Sequence, residues 1–205
     1  MTDAQRADAP QLYLVTPAGA TAAALGPLLA AVLDRVPPAC LRLRAGDDPA
    51  EMSRLADTTR EIAHVRDIPV VVEDHWGLAI SHGLDGVHLT DGARNVRAAR
   101  KALGADAIVG AFCGASRHAG ISAAEGGADY VSFGPVGTGP LTRGEPAPLE
   151  LFAWWSEMIE VPVVAEGSLD AALIGQLARC ADFIALGPEI WAAPDPADAL
   201  AHLWR

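Results

Sequence analysis

The sequence predicts a closed barrel of eight parallel strands with helices outside, and three observations carry the prediction. One phrase recurs as Leu84-Asp85-Gly86-Val87-His88-Leu89, Ala128-Asp129-Tyr130-Val131-Ser132-Phe133-Gly134 and Ala181-Asp182-Phe183-Ile184-Ala185-Leu186-Gly187. A second phrase, Ile68-Pro69-Val70-Val71 and Val161-Pro162-Val163-Val164, precedes two of its copies. Each phrase is a short apolar run behind a turn signal, and amphipathic helical spacing follows it. Repeated βα units of this kind close into a (β/α)8 TIM barrel with chemistry at one rim.

Strand signals fall at residues 11–16, 39–44, 68–73, 85–89, 107–112, 129–134, 161–166 and 182–187. They are continuous apolar runs, as expected for strands buried on both faces. Pro69 and Pro162 stand at strand starts, where a missing N–H is tolerated. Between strands, Val96, Ala99 and Leu103 form one helical stripe, with Arg94, Arg97, Arg100 and Lys101 outside it. Leu169, Leu173 and Leu177 form another, for which Ser168 is the expected N-cap. The irregular stretch 136–148, after the sixth strand, is a lid or substrate-loop candidate. The competing architecture is an open doubly wound sheet. It wants a Gly-rich phosphate turn after the first strand, which Thr16-Pro17-Ala18-Gly19 does not supply.

The 205 residues suit one domain, with 1–10 read as a flexible N-terminal segment and 11–205 as the barrel. Hydrophobic residues make up 51%, but aromatics only 5%, so Ala, Val and Leu must do most of the packing. A net charge of −11 argues against binding nucleic acid or an anionic membrane surface, so a phosphorylated ligand needs cations concentrated locally, or a metal. Cys40, Cys113 and Cys180 read as reduced thiols of a cytoplasmic protein. The first residues lack the apolar stretch of a signal peptide, and no run is long enough to span a membrane. A homo-oligomer is compatible with this reading.

Strand ends and the loops after them supply the candidate site. Glu73-Asp74 stands after the third strand. Carboxylates there are costly unless paired or bound to a cation, and Mg²⁺ uses one or two of them with substrate phosphates. Only one of two adjacent residues faces the site; the alternative is that one caps the helix starting near Trp76. Arg42 and Arg44 share a strand face and could clamp phosphate, or fill the barrel paired with a carboxylate such as Asp74. Gly167-Ser168 and Gly187-Pro188 follow the last two strands, where backbone N–H groups hold phosphate in many barrels. Plain tight turns are the alternative. His88 reads as a core histidine, and Cys113 as buried filler or a nucleophile. His75 and His118, at helix starts, are alternative proton carriers. The Trp154-Trp155 pair reads as packing.

The elements Leu12-Tyr13-Leu14-Val15-Thr16, Leu43-Arg44, Glu73-Asp74, Asp85-Gly86-Val87-His88-Leu89 and Gly127-Ala128-Asp129-Tyr130-Val131-Ser132-Phe133-Gly134-Pro135-Val136 closely resemble the thiamine phosphate synthases. That superfamily also holds the thiazole tautomerases. The resemblance covers nearly the whole chain. It implies the barrel and a reaction in which a pyrimidine diphosphate loses Mg²⁺-bound pyrophosphate and a thiazole phosphate nitrogen captures the cation. It also implies catalytic roles for Arg44, Cys113 and Arg143. Substrate contacts fall on Arg42, Glu73, His88, Thr138, Thr142, Gly167 and Gly187, and the metal carboxylates on Asp74 and Asp91. Alternatives are a tautomerase-like isomerase without metal, or a non-catalytic binder of phosphorylated heterocycles.

The chain also departs from the family pattern. Arg42 and Gly46 stand where the family has Gln and Lys, and Glu73 where it has Asn. Ala93 stands at a metal-binding Asp position, for which Asp91 must substitute. Cys113 replaces a Ser, and the Thr-x-Thr-Lys loop becomes Gly139-Pro140-Leu141-Thr142, with Arg143 one residue along. Glu166 replaces the first Gly of Gly-Gly, and Gly187 a Ser. The tautomerase histidine corresponds to Ala115.

Overall fold

The computed structural model describes residues 9–138 and 144–204. Eight strands run in chain order: β1 (Gln11–Val15), β2 (Cys40–Leu43), β3 (Val70–Glu73), β4 (Gly86–Leu89), β5 (Ile108–Phe112), β6 (Tyr130–Phe133), β7 (Val163–Glu166) and β8 (Phe183–Leu186). All pair parallel in sequence order, and β1 pairs with β8 to close the barrel. The helices are α1 (Ala22–Arg35), α2 (Pro49–His64), α3 (Trp76–His82), α4 (Val96–Leu103), α5 (Arg117–Glu125), α6 (Leu149–Met158), α7 (Ala171–Leu177), α8 (Pro188–Trp191) and α9 (Pro196–Leu203). Each strand signal of the sequence contains one observed strand. Most of the expected segment 1–10 lies outside the described residues.

Strand alternation divides the apolar residues into two cores. Leu12, Leu14, Leu41, Leu43, Val70, Val72, Val131 and Phe133 point outward and pack against the helices. Tyr13, Val15, Cys40, Val71, Tyr130, Val164 and Ala185 fill the barrel itself. Gly110 is what admits Tyr130: a Cβ there would lie 2.0 Å from the ring. Trp155 is fully buried against Phe133, whereas Trp154 lies under the Arg117 guanidinium, 4.5 Å from the ring centroid.

The repeated aspartates explain themselves at the N-terminal end of the barrel. Asp85 accepts the Val70 N–H at 2.7 Å, Asp129 the Val109 N–H at 2.7 Å, and Asp182 the Val163 N–H at 2.8 Å. Each aspartate introduces an even-numbered strand and ties down the start of the odd-numbered strand before it. The unit of repetition is therefore a pair of strands, sealed at the bottom by one carboxylate. Pro69 and Pro162 lack an N–H, but their carbonyls accept from Leu41 and Val131.

One local expectation is corrected, and one alternative falls. The N-cap of α7 is Asp170, which accepts the Leu173 N–H at 2.8 Å, and not Ser168, which lies upstream with a φ of 54°. Leu169 therefore precedes the helix rather than opening its stripe. His75 is the N-cap of α3 and makes no side-chain cap bond, so neither Glu73 nor Asp74 caps that helix.

Candidate active site at the C-terminal rim

The strands deliver Arg42, Glu73, His88 and Glu166 toward the barrel mouth, and the buried Tyr130, the first residue of β6, joins them from below in one connected cluster. Arg42 is buried at its centre. Its Nη1 lies 2.7 Å from His88 Nε2 and 2.8 Å from Glu166 Oε2, and its Nε lies 3.4 Å from Glu73 Oε1. A guanidinium only donates, so His88 Nε2 accepts and the imidazole is the neutral Nδ1–H tautomer. Nδ1–H then donates to the Tyr130 hydroxyl at 2.9 Å, which meets the Tyr13 hydroxyl at 2.7 Å.

The charges follow from these neighbours. Burial alone would lower the Arg42 pKa, but Glu166, Tyr13 and Glu73 raise it above its ordinary value. Burial, reinforced by Arg42, holds His88 well below the usual histidine range. The contacts of Arg42 with the two glutamates lack hydrogen-bond alignment, leaving Arg42 Nε and Glu166 Oε2 as ion-paired but unbonded atoms. Arg42 is thus neutralised beneath the rim, and His88 is a core histidine; neither is presented to solvent as a substrate contact. Arg44, by contrast, stands past the end of β2 with 38% of its side chain exposed and Nε 3.8 Å from Glu73. Its carboxylate partner is Glu73, not Asp74.

Asp74 takes the left-handed backbone, φ 57°, and turns away from the barrel axis toward the loop after β4. Its carboxylate accepts the Thr90 N–H at 2.7 Å and the Thr90 hydroxyl at 2.5 Å. The next residue, Asp91, is exposed and accepts from Asn95 Nδ2 at 2.6 Å. Among the described residues no group of three or more His, Cys, Asp and Glu converges on one point. Mg²⁺ does not require such a cage, since it binds through one or two carboxylates plus phosphate oxygens. Asp74 is exposed and keeps unused lone pairs beyond its two Thr90 bonds, so it fits that requirement as a single carboxylate.

Cys113 takes the filler role of its two readings and not the catalytic role the resemblance implies. Its Sγ is buried, donates to the Ala111 carbonyl at 3.5 Å and packs with the outer core. Burial pushes its pKa up to about 12, so it is a thiol at neutral pH and not a nucleophile. Thr138 is exposed; Thr142 and Arg143 lie outside the described residues. His75 and His118 are both exposed.

The loops after β6 and β7 lie on one another. Val136 N–H donates to the Glu166 carbonyl and Gly137 N–H to the Gly167 carbonyl. A Cβ on Gly137 would meet the Ser168 carbonyl oxygen at 1.9 Å, so only glycine fits there. Gly167 has a φ of 94°. The Gly187 N–H, expected to cradle phosphate, donates to Glu189 Oε2 instead. The sequence reading missed both Glu189 and the Tyr13–Tyr130 pair. Inward alternation along β1 and β6 was the available signal for the tyrosines. Nothing in the spacing pointed to Glu189.

Comparison with known proteins places this rim. Residues 12–190 match the family model described as thiamine monophosphate synthase. The chain belongs to that family. It is 41% identical over 202 residues to a thiamine-phosphate synthase of Rhodospirillum centenum, covering 95% of this chain and 96% of that protein. A thiamine-phosphate synthase of an Azoarcus species is 35% identical over 197 residues, covering 93% and 94%. The fold is that of the thiamine phosphate pyrophosphorylase structure from Pyrococcus furiosus, with a TM-score of 0.80, 23% identity and coverage of 95% and 93%. A 3-hexulose-6-phosphate synthase structure shares the same barrel at a TM-score of 0.68 and 18% identity. The family's members are transferases, and these comparisons give no support to an isomerase or to a non-catalytic binder.

Proposed function

We propose that this chain couples a pyrimidine diphosphate to a thiazole phosphate with release of pyrophosphate, at the rim just described. The observation that carries the proposal is family membership along 12–190, the stretch that holds all eight strands but for Gln11, the first residue of β1. In the reaction the bond from the pyrimidine methylene to the diphosphate breaks, and its electron pair leaves with pyrophosphate. The thiazole nitrogen then donates a lone pair to form the new C–N bond. The chemistry needs the leaving group neutralised and water excluded from the cation.

The chain's own groups divide that work. Arg44, partly exposed and only loosely held by Glu73, binds diphosphate oxygens as a planar fork. Asp74 would hold Mg²⁺, which when bound supplies further positive charge to the leaving group. Arg42 does not bind phosphate; it holds Glu73 and Glu166 in place under the mouth. The loops after β7 and β8 receive the thiazole phosphate. Substrates are therefore small phosphorylated heterocycles. Residues where the chain departs from the family pattern, Arg42, Glu73, Glu166 and Gly187, are where substrate divergence would lie.

Among the described residues no helix is long and apolar enough to cross a membrane. The test is to incubate the purified protein with both substrates and Mg²⁺ and measure thiamine phosphate. No product, under conditions where a known synthase turns over, refutes the proposal.

A further inference from the structure

The loops after β7 and β8 meet at the rim, where the chain bridges them with an anion of its own. Glu189 Oε2 accepts the Gly187 N–H at 2.9 Å, and its Oε1 accepts the Leu169 N–H at 3.2 Å. The two donors belong to different loops, so one carboxylate bridges them as two oxygens of a phosphate would. Glu166, at the end of β7, brings a second carboxylate to the same strand end; its contact with Arg42 at 2.8 Å holds it there. Glu189 is only partly buried.

We propose that Glu189 is a specificity-determining residue: it keeps these two loop N–H groups closed to free anions, and only a phosphate carried on a heterocycle displaces it. The proposal rests on the assignment of the loops after β7 and β8 to the thiazole phosphate. The physical reason is a constant penalty. Any anion entering must break both carboxylate bonds and tolerate or expel a like charge. Inorganic phosphate has no other contact to offset that cost. A thiazole phosphate has its ring, whose burial in the mouth contributes independently of the phosphate.

The test is calorimetric titration of inorganic phosphate into the full-length wild type, Glu189→Gln and Glu189→Ala, in Mg²⁺-free buffer, with thermal melts to confirm folding. Gln keeps an oxygen acceptor for one loop N–H, so the loops stay braced while the charge is gone. The expected result is phosphate affinity raised about tenfold in Glu189→Gln, the scale of one charge-assisted hydrogen bond. The KM for thiazole phosphate should fall by a similar factor. A residue that merely braces the loops gives the opposite sign: weaker phosphate binding in both variants. Unchanged or weaker phosphate affinity in both variants overturns the proposal, as does the absence of phosphate binding by any of the three proteins at millimolar concentration. Tightened phosphate binding without synthase turnover would count against the proposed reaction and leave the role of Glu189 standing.

Discussion

Replacing Arg42 by Gln, the residue the family pattern has at that position, should destabilise the protein far more than a rim substitution would. The side chains of Arg42, Glu73 and Glu166 retain only 10%, 12% and 15% exposure, so solvent screens their charges poorly. Arg42 is the cation nearest to both glutamates, at 2.8 Å from Glu166 and 3.4 Å from Glu73. Arg44 partly covers Glu73 from 3.8 Å, so most of the cost falls on Glu166. Removing one member of a buried pair costs roughly 3–5 kcal/mol, because a charge is left uncompensated. That is a large part of the total stability of a typical domain, about 5–15 kcal/mol. Urea unfolding of wild type and Arg42→Gln measures it. The triple variant Arg42→Gln, Glu73→Asn, Glu166→Gly restores the family residues and removes both orphaned charges. It should unfold within about 2 kcal/mol of wild type, the difference from the single variant reading out the coupling. A single variant costing under about 1 kcal/mol, or a triple variant no more stable than the single, would refute the view that these three residues form one compensated unit.

Three further outcomes follow from the same geometry. Asp182→Ala leaves the Val163 N–H without its side-chain acceptor and should cost about 1–3 kcal/mol by urea unfolding, with no change in KM. His88 is held neutral in the fold, its pKa well below the value of about 6.5 it has when unfolded. Below that pH the unfolded chain binds the extra proton, so stability is fully present above about pH 6.5 and falls as pH drops, by up to about 1.4 kcal/mol per unit. Urea unfolding at stepped pH should show this slope reduced in His88→Gln; an identical slope would remove His88 from the account. Asp74→Asn should raise the Mg²⁺ concentration for half-maximal activity by roughly 10- to 100-fold, at least what loss of an outer-shell partner costs. Its melting temperature without Mg²⁺ should barely move, because the amide oxygen still accepts from Thr90; an unchanged Mg²⁺ response would exclude Asp74 as a ligand.

The barrel was readable because its cause is local and repeated. Short apolar runs behind Asp or Pro, each followed by helical spacing, leave few other ways to bury both faces of a parallel sheet. The purpose of the repeated aspartates was not readable, since each accepts from a strand 15 to 20 residues earlier in the chain. The site was read residue by residue and so missed partnership. Arg42, Glu73 and Glu166 each looked like a separate departure, and only their placement on β2, β3 and β7 shows that they neutralise one another. An Arg44–Asp74 pair was one alternative to a phosphate clamp. The left-handed turn at Asp74 sends its carboxylate to Thr90 instead. Cys113 sits at a strand end, where sequence position suggests chemistry, yet its side chain packs with the outer core.

The central claim is that this rim still makes thiamine phosphate despite a neutralised Arg42 and loop N–H groups occupied by Glu189. The most direct measurement is product formation by the purified protein from pyrimidine diphosphate and thiazole phosphate, with Mg²⁺ and with the metal chelated. The account predicts thiamine phosphate and pyrophosphate in equal amounts, dependent on Mg²⁺ and lost in Arg44→Ala. Stoichiometric product that persists on chelation, or no product from a folded protein, would contradict it.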